Sequence, residues 1–183
     1  NLFNGGLTST ASNNTINGNV RTSGDALSLG TVTLSGTSSL DATNNGGSTA
    51  GNNISVGAIT SGGNALTLNA GTAGTITGSS FSGSGDLTIA NSAGTAFSGA
   101  VNAGTIGLTN TTGSIAFNGA VTATALNSAA QGFSLLLNNG STIATASTFA
   151  NTGGVTLTGT NLFNGGLTST ASNNTINGNV RTS

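Results

Sequence analysis

The sequence predicts an all-β fold, a parallel β-helix or β-solenoid in which short strands coil around one axis. Three observations predict it. Apolar residues alternate with Thr or Ser in short segments, Gly and Asn separate these segments, and several motifs recur about 20 residues apart. A chain that closes one coil per period can bury its apolar face only by stacking coils on one another. The handedness of parallel crossovers favours right-handed winding.

The predicted strands are short and have a period of two. Val, Leu and Ile alternate with Thr or Ser in TVTLSG (31–36), ALTLNA (65–70), DLTIAN (86–91) and VTLTGT (155–160). This alternation is typical of a strand with one buried face. No stretch shows apolar residues at helical spacing over several turns. We therefore expect the aliphatic side chains inside the solenoid and the Thr side chains outside.

A short repeat gives the length of one coil. FSGAV (97–101) is followed by FNGAV (117–121) at an offset of 20, FNGGL (163–167) is a third instance, and Leu66 and Leu87 lie 21 apart. We expect Phe97 and Phe117 to point inward and to stack on neighbouring coils. The alternative, an exterior aromatic platform for carbohydrate, is disfavoured because Tyr and Trp are absent.

A long repeat contains the short one. Residues 1–23 recur identically at 161–183, which gives a period of 160 residues. Residues 1–160 are thus interpreted as one full tandem repeat of a solenoid shaft, and residues 161–183 as the start of the next. With about 20 residues per coil and about 4.8 Å per coil, the repeat should make roughly seven to eight coils and advance about 38 Å.

Asn and Gly mark the predicted turns. The segment NNGGSTAGNN (44–53) interrupts the rhythm and should form a surface loop. The pairs Asn4-Gly5, Asn17-Gly18, Asn118-Gly119 and Asn139-Gly140 should form tight turns with positive φ, and stacked Asn side chains could form amide ladders.

The composition excludes most chemistry. Charged residues are 3% of the chain, with two Arg, three Asp and no His or Cys. Triad hydrolysis, thiol chemistry and zinc sites lack their reagents, and two Arg residues cannot form a nucleic-acid-binding patch. No run approaches the roughly 18 apolar residues of a membrane-spanning helix. We therefore expect no enzyme activity, catalytic residue, metal or cofactor, no nucleic-acid partner and no transmembrane segment in this region.

The three carboxylates are the only candidates for a site. Right-handed β-helices host polysaccharide hydrolases and lyases with acidic residues on one face, but Asp25 and Asp86 both follow Ser-Gly in a turn before a strand. We expect them to accept hydrogen bonds from nearby backbone groups. Arg21 and Asp41 lie 20 apart, so they could stack on adjacent coils and form an ion pair.

The repeats FSGAV, FNGAV and FNGGL, set among LTL-type strands and Gly or Asn turns, resemble the shaft repeats of filamentous-haemagglutinin-like and autotransporter-type bacterial surface adhesins. The resemblance covers the whole chain. It implies a right-handed β-helix shaft, secretion to the cell surface and a role in contact or biofilm, and it transfers no functional residues. Export signal, anchor and receptor-binding tip are expected outside this segment.

The expected function is that of a structural repeat in a long extracellular fibre. Its expected partners are neighbouring repeats of the same chain, end to end, and other fibres through lateral self-association. Two alternatives stay open. One is a multivalent surface for ice or polysaccharide, for which the Thr-x-Thr segments at 31–33, 75–77, 122–124 and 156–158 are the candidates. The other, more remote, is a polysaccharide lyase or hydrolase.

Overall fold

A computed structural model describes residues 1–183 and shows a β-solenoid built only of parallel strands. The prediction of an all-β solenoid is confirmed. The strands are β1 Leu2–Phe3, β2 Leu7–Ser9, β3 Asn14–Thr22, β4 Leu27–Leu29, β5 Val32–Asp41, β6 Ile54–Thr60, β7 Leu66–Asn69, β8 Thr75–Ser82, β9 Leu87–Ser92, β10 Gly94–Phe97, β11 Val101–Thr111, β12 Ser114–Phe117, β13 Val121–Ser128, β14 Ser134–Leu137, β15 Ser141–Ile143, β16 Ser147–Phe149, β17 Val155–Phe163, β18 Leu167–Ser169 and β19 Asn174–Thr182.

The strands stack into three ladders, which are the three sides of the solenoid. Long strands such as β11 turn a corner and belong to two ladders. The first ladder contains residues 14–16, 32–34, 59–60, 81–82, 101–103, 121–123, 141–143, 161–163 and 180–182. The second contains 2–3, 18–22, 38–41, 66–69, 87–92, 106–111, 126–128, 147–149 and 167–169. The third contains 7–9, 27–29, 54–56, 75–78, 94–97, 114–117, 134–137, 155–157 and 174–176.

Most turns have the predicted length. Val101 pairs with Val121, and Leu135 with Val155, each 20 residues on. One turn is longer, because Leu27 pairs with Ile54 and Ser38 with Leu66, at offsets of 27 and 28. The extra residues fall between β5 and β6, where NNGGSTAGNN predicted a surface loop. That prediction is confirmed.

The core is a single column of inward side chains. A cluster of 35 buried hydrophobic residues runs through the solenoid, fed by the alternating strands: Leu66 and Leu68 are buried and the intervening Thr67 is not. Phe97 and Phe117 are fully buried and stacked, with ring centroids 5.9 Å apart and planes at 17°. The inward stack predicted for this pair is confirmed, and each buried aliphatic side chain contributes about 1.5–3 kcal/mol to folding.

The Asn-Gly turns follow the prediction at three of four positions. Gly5, Gly18 and Gly140 have φ of 93°, 88° and 76°. Gly119 does not have positive φ, so that prediction was wrong. Its physical reason for being Gly is contact: a Cβ at Gly119 would overlap the backbone of Gly99 in the turn beneath. The glycine of FSGAV and FNGAV is required by close stacking of successive corners.

One predicted amide ladder is present. The Nδ2 of Asn138 donates to the Oδ1 of Asn118 over 2.8 Å, and these residues follow Leu137 and Phe117, which are ladder partners. Such bonds connect adjacent turns along the axis, as the main-chain ladders do. The outer surface therefore adds to the axial cohesion of the solenoid.

Candidate functional site

The connection from β5 to β6, residues 42–53, is the one part of the repeat that departs from the regular coil; we call it the corner loop. Its first half is organised by the buried carboxylate of Asp41. Oδ1 accepts hydrogen bonds from the amide of Thr43 over 2.9 Å and from its hydroxyl over 2.6 Å, and Oδ2 accepts from the amide of Asn45 over 2.7 Å. Asn44 and Asn45 have φ of 54° and 56°, which Asn adopts more readily than most residues.

The second half of the corner loop rejoins the solenoid through its backbone. The amide of Thr72 donates to the carbonyl of Thr49 over 3.0 Å, and the amide of Ala73 to that of Ala50 over 2.8 Å. Residues 45–47, 49 and 50 are exposed at the tip. The loop thus presents small, uncharged side chains and free backbone groups on a fixed frame.

Arg21 and Asp41 are ladder partners on adjacent turns, as their spacing predicted. The predicted ion pair is absent. The Asp41 carboxylate binds the corner loop instead, and the buried Nε of Arg21 has no hydrogen-bond partner. A carboxylate that accepts three short-range hydrogen bonds satisfies itself without a cation, which explains why spacing alone mispredicted the pair.

Asp25 and Asp86 accept backbone hydrogen bonds, as predicted, but from neighbouring turns. Oδ2 of Asp25 accepts from the Gly5 amide over 3.0 Å, and Oδ1 of Asp86 accepts from the Thr105 amide over 2.7 Å. The donors lie 20 and 19 residues away along the chain. Each aspartate therefore joins one turn to the next.

The three carboxylates do not form a common site. Asp25 precedes β4 in the third ladder, whereas Asp86 precedes β9 in the second, so they stand at different corners and on different turns. Asp41 is buried and engaged by its loop. The chain contains no cluster of three or more His, Cys, Asp or Glu side chains that could hold a metal ion. The arrangement lacks the facing carboxyl pair of a glycoside hydrolase.

The Thr-x-Thr segments are divided between two sides of the solenoid. Segments 31–33 and 122–124 lie on the first ladder, and 75–77 and 156–158 on the third. Thr77 and Thr156 share one column but are separated by Ala96, Ala116 and Leu136. The segments do not combine into two parallel columns of Thr.

Two shallow grooves occur on the outer surface. One, of about 270 Å³, crosses the third ladder and is lined by polar groups that include Ser55, Thr77, Ser98 and Asn118. The other, of about 350 Å³, follows the corner after the first ladder and is lined by Asn102, Thr122 and Thr124 among others. Both offer hydroxyl and amide groups and no charge.

A column of polar residues at the corner of Asp41 was not anticipated. Asn69, Asn91 and Asn110 continue the column begun by Arg21 and Asp41. Asn69 donates to the hydroxyl of Thr43 over 3.2 Å and so supports the corner loop. The offsets between these residues vary with turn length, which hides the column from a search at a fixed period.

Comparison with protein-family models, curated proteins and solved structures finds no match. The structure has no helix long and apolar enough to cross a membrane.

Proposed function

We propose that this chain is a repeat of a long extracellular structural fibre, the shaft of a cell-surface adhesin or filament, and that its function is mechanical and spatial. The observation that carries the proposal is the combination of identical ends with unbroken ladders. The segment 1–23 recurs at 161–183, and in both positions it forms a turn of the same solenoid. A repeat that ends as it begins can continue without a break.

The backbone supports a mechanical role. The solenoid contains 112 backbone–backbone hydrogen bonds, and its strands all pair in parallel between successive turns. These bonds run along the axis, so extension of the shaft strains many of them together. The near absence of charged side chains allows other fibres to approach closely, which supports lateral self-association.

The composition and resemblance set out above support an extracellular location. The test is immunogold electron microscopy of intact cells that make the protein, with antibodies raised against this chain. We expect label along thin surface fibres, and loss of the fibres when the repeat region is deleted. Label confined to the cell interior would contradict the location, and compact particles would contradict the fibre.

A second candidate is a multivalent polysaccharide-binding surface, favoured by the groove lined by Ser55, Thr77 and Asn118. One groove per repeat would give weak sites that act through avidity. Pull-down on insoluble polysaccharides distinguishes it: retention that increases steeply with repeat number supports binding, and none contradicts it. Thr columns split between two sides give ice binding less support, and an absence of thermal hysteresis would remove it.

The remote enzymatic alternative is tested by substitution of the aspartates. Polysaccharide cleavage abolished by Asp25→Asn or Asp86→Asn would support it. The separation of these residues at different corners favours the fibre instead.

A further inference from the structure

The two copies of the repeated segment lie on different sides of the solenoid. Leu2 and Phe3 belong to the second ladder, where they pair with Arg21 and Thr22. Their counterparts Leu162 and Phe163 belong to the first ladder, where they pair with Thr142 and Ile143 beneath. The repeat therefore does not close on the side where it began.

The number of turns in the repeat follows from the ladders. From residues 2–3 the second ladder rises through seven further rungs, at 18–22, 38–41, 66–69, 87–92, 106–111, 126–128 and 147–149. The chain then crosses the third ladder at 155–157 and reaches the first at 161–163. The 160-residue period is thus seven turns and two further sides, or seven and two-thirds turns, within the predicted range of seven to eight.

The change of side is not a change of local structure. Leu2 pairs with Arg21, and Leu162 with Arg181, at the same offset of 19. The hydroxyl of Ser9 donates to Oδ1 of Asn14 over 2.5 Å, and that of Ser169 to Oδ1 of Asn174 over 2.7 Å. The copies differ at one corner, where a bulge between Ile16 and Gly18 has no counterpart in the pairing of β19.

The two copies together show both contacts of the repeat junction. The first copy shows how the segment meets the turn above it, through pairs such as Leu7 with Leu27. The second shows how it meets the turn beneath it, through pairs such as Val155 with Asn174. Placing one copy on the other continues all three ladders and rotates the next repeat by one side.

We propose that the tandem array is a threefold screw in which each repeat is rotated by one third of a turn relative to the last. This inference rests on the proposed fibre. With about 4.8 Å per turn, each repeat rises by about 37 Å, and the same side recurs after three repeats, or about 110 Å. The corner loops, residues 42–53, are therefore displayed at the three corners in succession.

The screw decides which partners the fibre can engage. A partner that lies along one side meets a corner loop in only one repeat of three, and partners around the shaft are met equally. Two fibres side by side come into identical register only after shifts of three repeats. The rotation depends on the number of sides per repeat and not on the number of residues, so the length of the corner loop does not alter it.

Cryo-electron microscopy of arrays of four repeats, each containing this whole chain, tests the inference. The chain has no Cys, and Thr49 is exposed at the tip of the corner loop. Thr49→Cys, coupled to a small gold cluster, is introduced into repeats one and two of one array and into repeats one and four of a matched array. The corner that carries each label is determined relative to the traced ladders.

The expected result is labels at different corners in the first array and at the same corner, about 110 Å apart, in the second. Labels at one corner in repeats one and two would overturn the screw while leaving the fibre intact. Arrays whose ladders break at the junction between repeats would overturn both the screw and the proposed fibre.

Discussion

Residues 94–163 and residues 27–60 form two kinds of turn in one solenoid. In the first region ladder partners are 20 or 21 residues apart, and stacked Phe rings and closely approaching Gly corners fill the space. In the second they are 27 or 28 apart, and the surplus leaves the coil as the corner loop. The ladders enter and leave both regions in register.

The comparison separates what the solenoid fixes from what it leaves free. The inner column is fixed, because a side chain that points inward meets partners on the turns above and below and has no alternative position. The length of a corner is free, provided that its first and last residues reach the adjoining ladders. Asp41 supplies the order that the regular turns obtain from their neighbours.

The largest expected effect is in the regular region. Phe117→Ala removes a fully buried ring that stacks on Phe97, and should lower the free energy of unfolding by about 3–5 kcal/mol. Chemical denaturation monitored by circular dichroism measures the change. Thr122→Ala on the outer face is the matched control, expected to change stability by less than about 0.5 kcal/mol; equal losses in the two variants would contradict the inner column.

A smaller loss is expected at the stacked corners. Gly119→Ala places a methyl group against the backbone of Gly99, and should destabilise the fold by about 1–3 kcal/mol. Gly132 provides the control, because its Cβ would meet nothing within 4 Å. Gly132→Ala should be neutral or slightly stabilising in the same thermal melts. A neutral Gly119→Ala would show that successive corners do not touch.

In the long turn the effect should be local. Asp41→Ala leaves the amides of Thr43 and Asn45 without their acceptor, at a cost of about 1–3 kcal/mol. Hydrogen exchange should accelerate at those two amides while the strands beyond stay protected. In Asp86→Ala the faster exchange should be confined to Thr105. Unchanged exchange at Thr43 and Asn45 would refute the role of Asp41.

The smallest effect should follow removal of the corner loop. Asp41 pairs with Asn69, and Ile54 with Ile76, so the hexapeptide AGTAGT of residues 70–75 spans the same points one turn later. Substituting it for residues 42–53, together with Asp41→Asn, should change stability by no more than about 1 kcal/mol. Loss of the folded state in calorimetry would show that the loop is part of the solenoid's core structure.

The sequence predicts the regular region well. Alternation in ALTLNA placed Leu66 and Leu68 inside, and the offset between FSGAV and FNGAV placed Phe97 over Phe117, because a solenoid converts sequence period directly into vertical stacking. The outward corner loop was also predictable, since its composition breaks that period.

Three features were not predictable for physical reasons. Asp41 could bond either to Arg21 or to its own loop, and only the loop conformation decides. Gly119 carries no sign in the sequence that its need is close contact and not positive φ. The fractional turn count depends on how many sides the corner loop spans, which the number of residues does not reveal.

The most direct test of the account is the length of tandem arrays as a function of copy number. Small-angle X-ray scattering of proteins with two, four and six repeats gives the maximum dimension and the radius of the cross-section. A continuous solenoid predicts an increase of about 37 Å per added repeat with a constant cross-section. A cross-section that grows with copy number, or joints between rigid units that make the increments irregular, would contradict it.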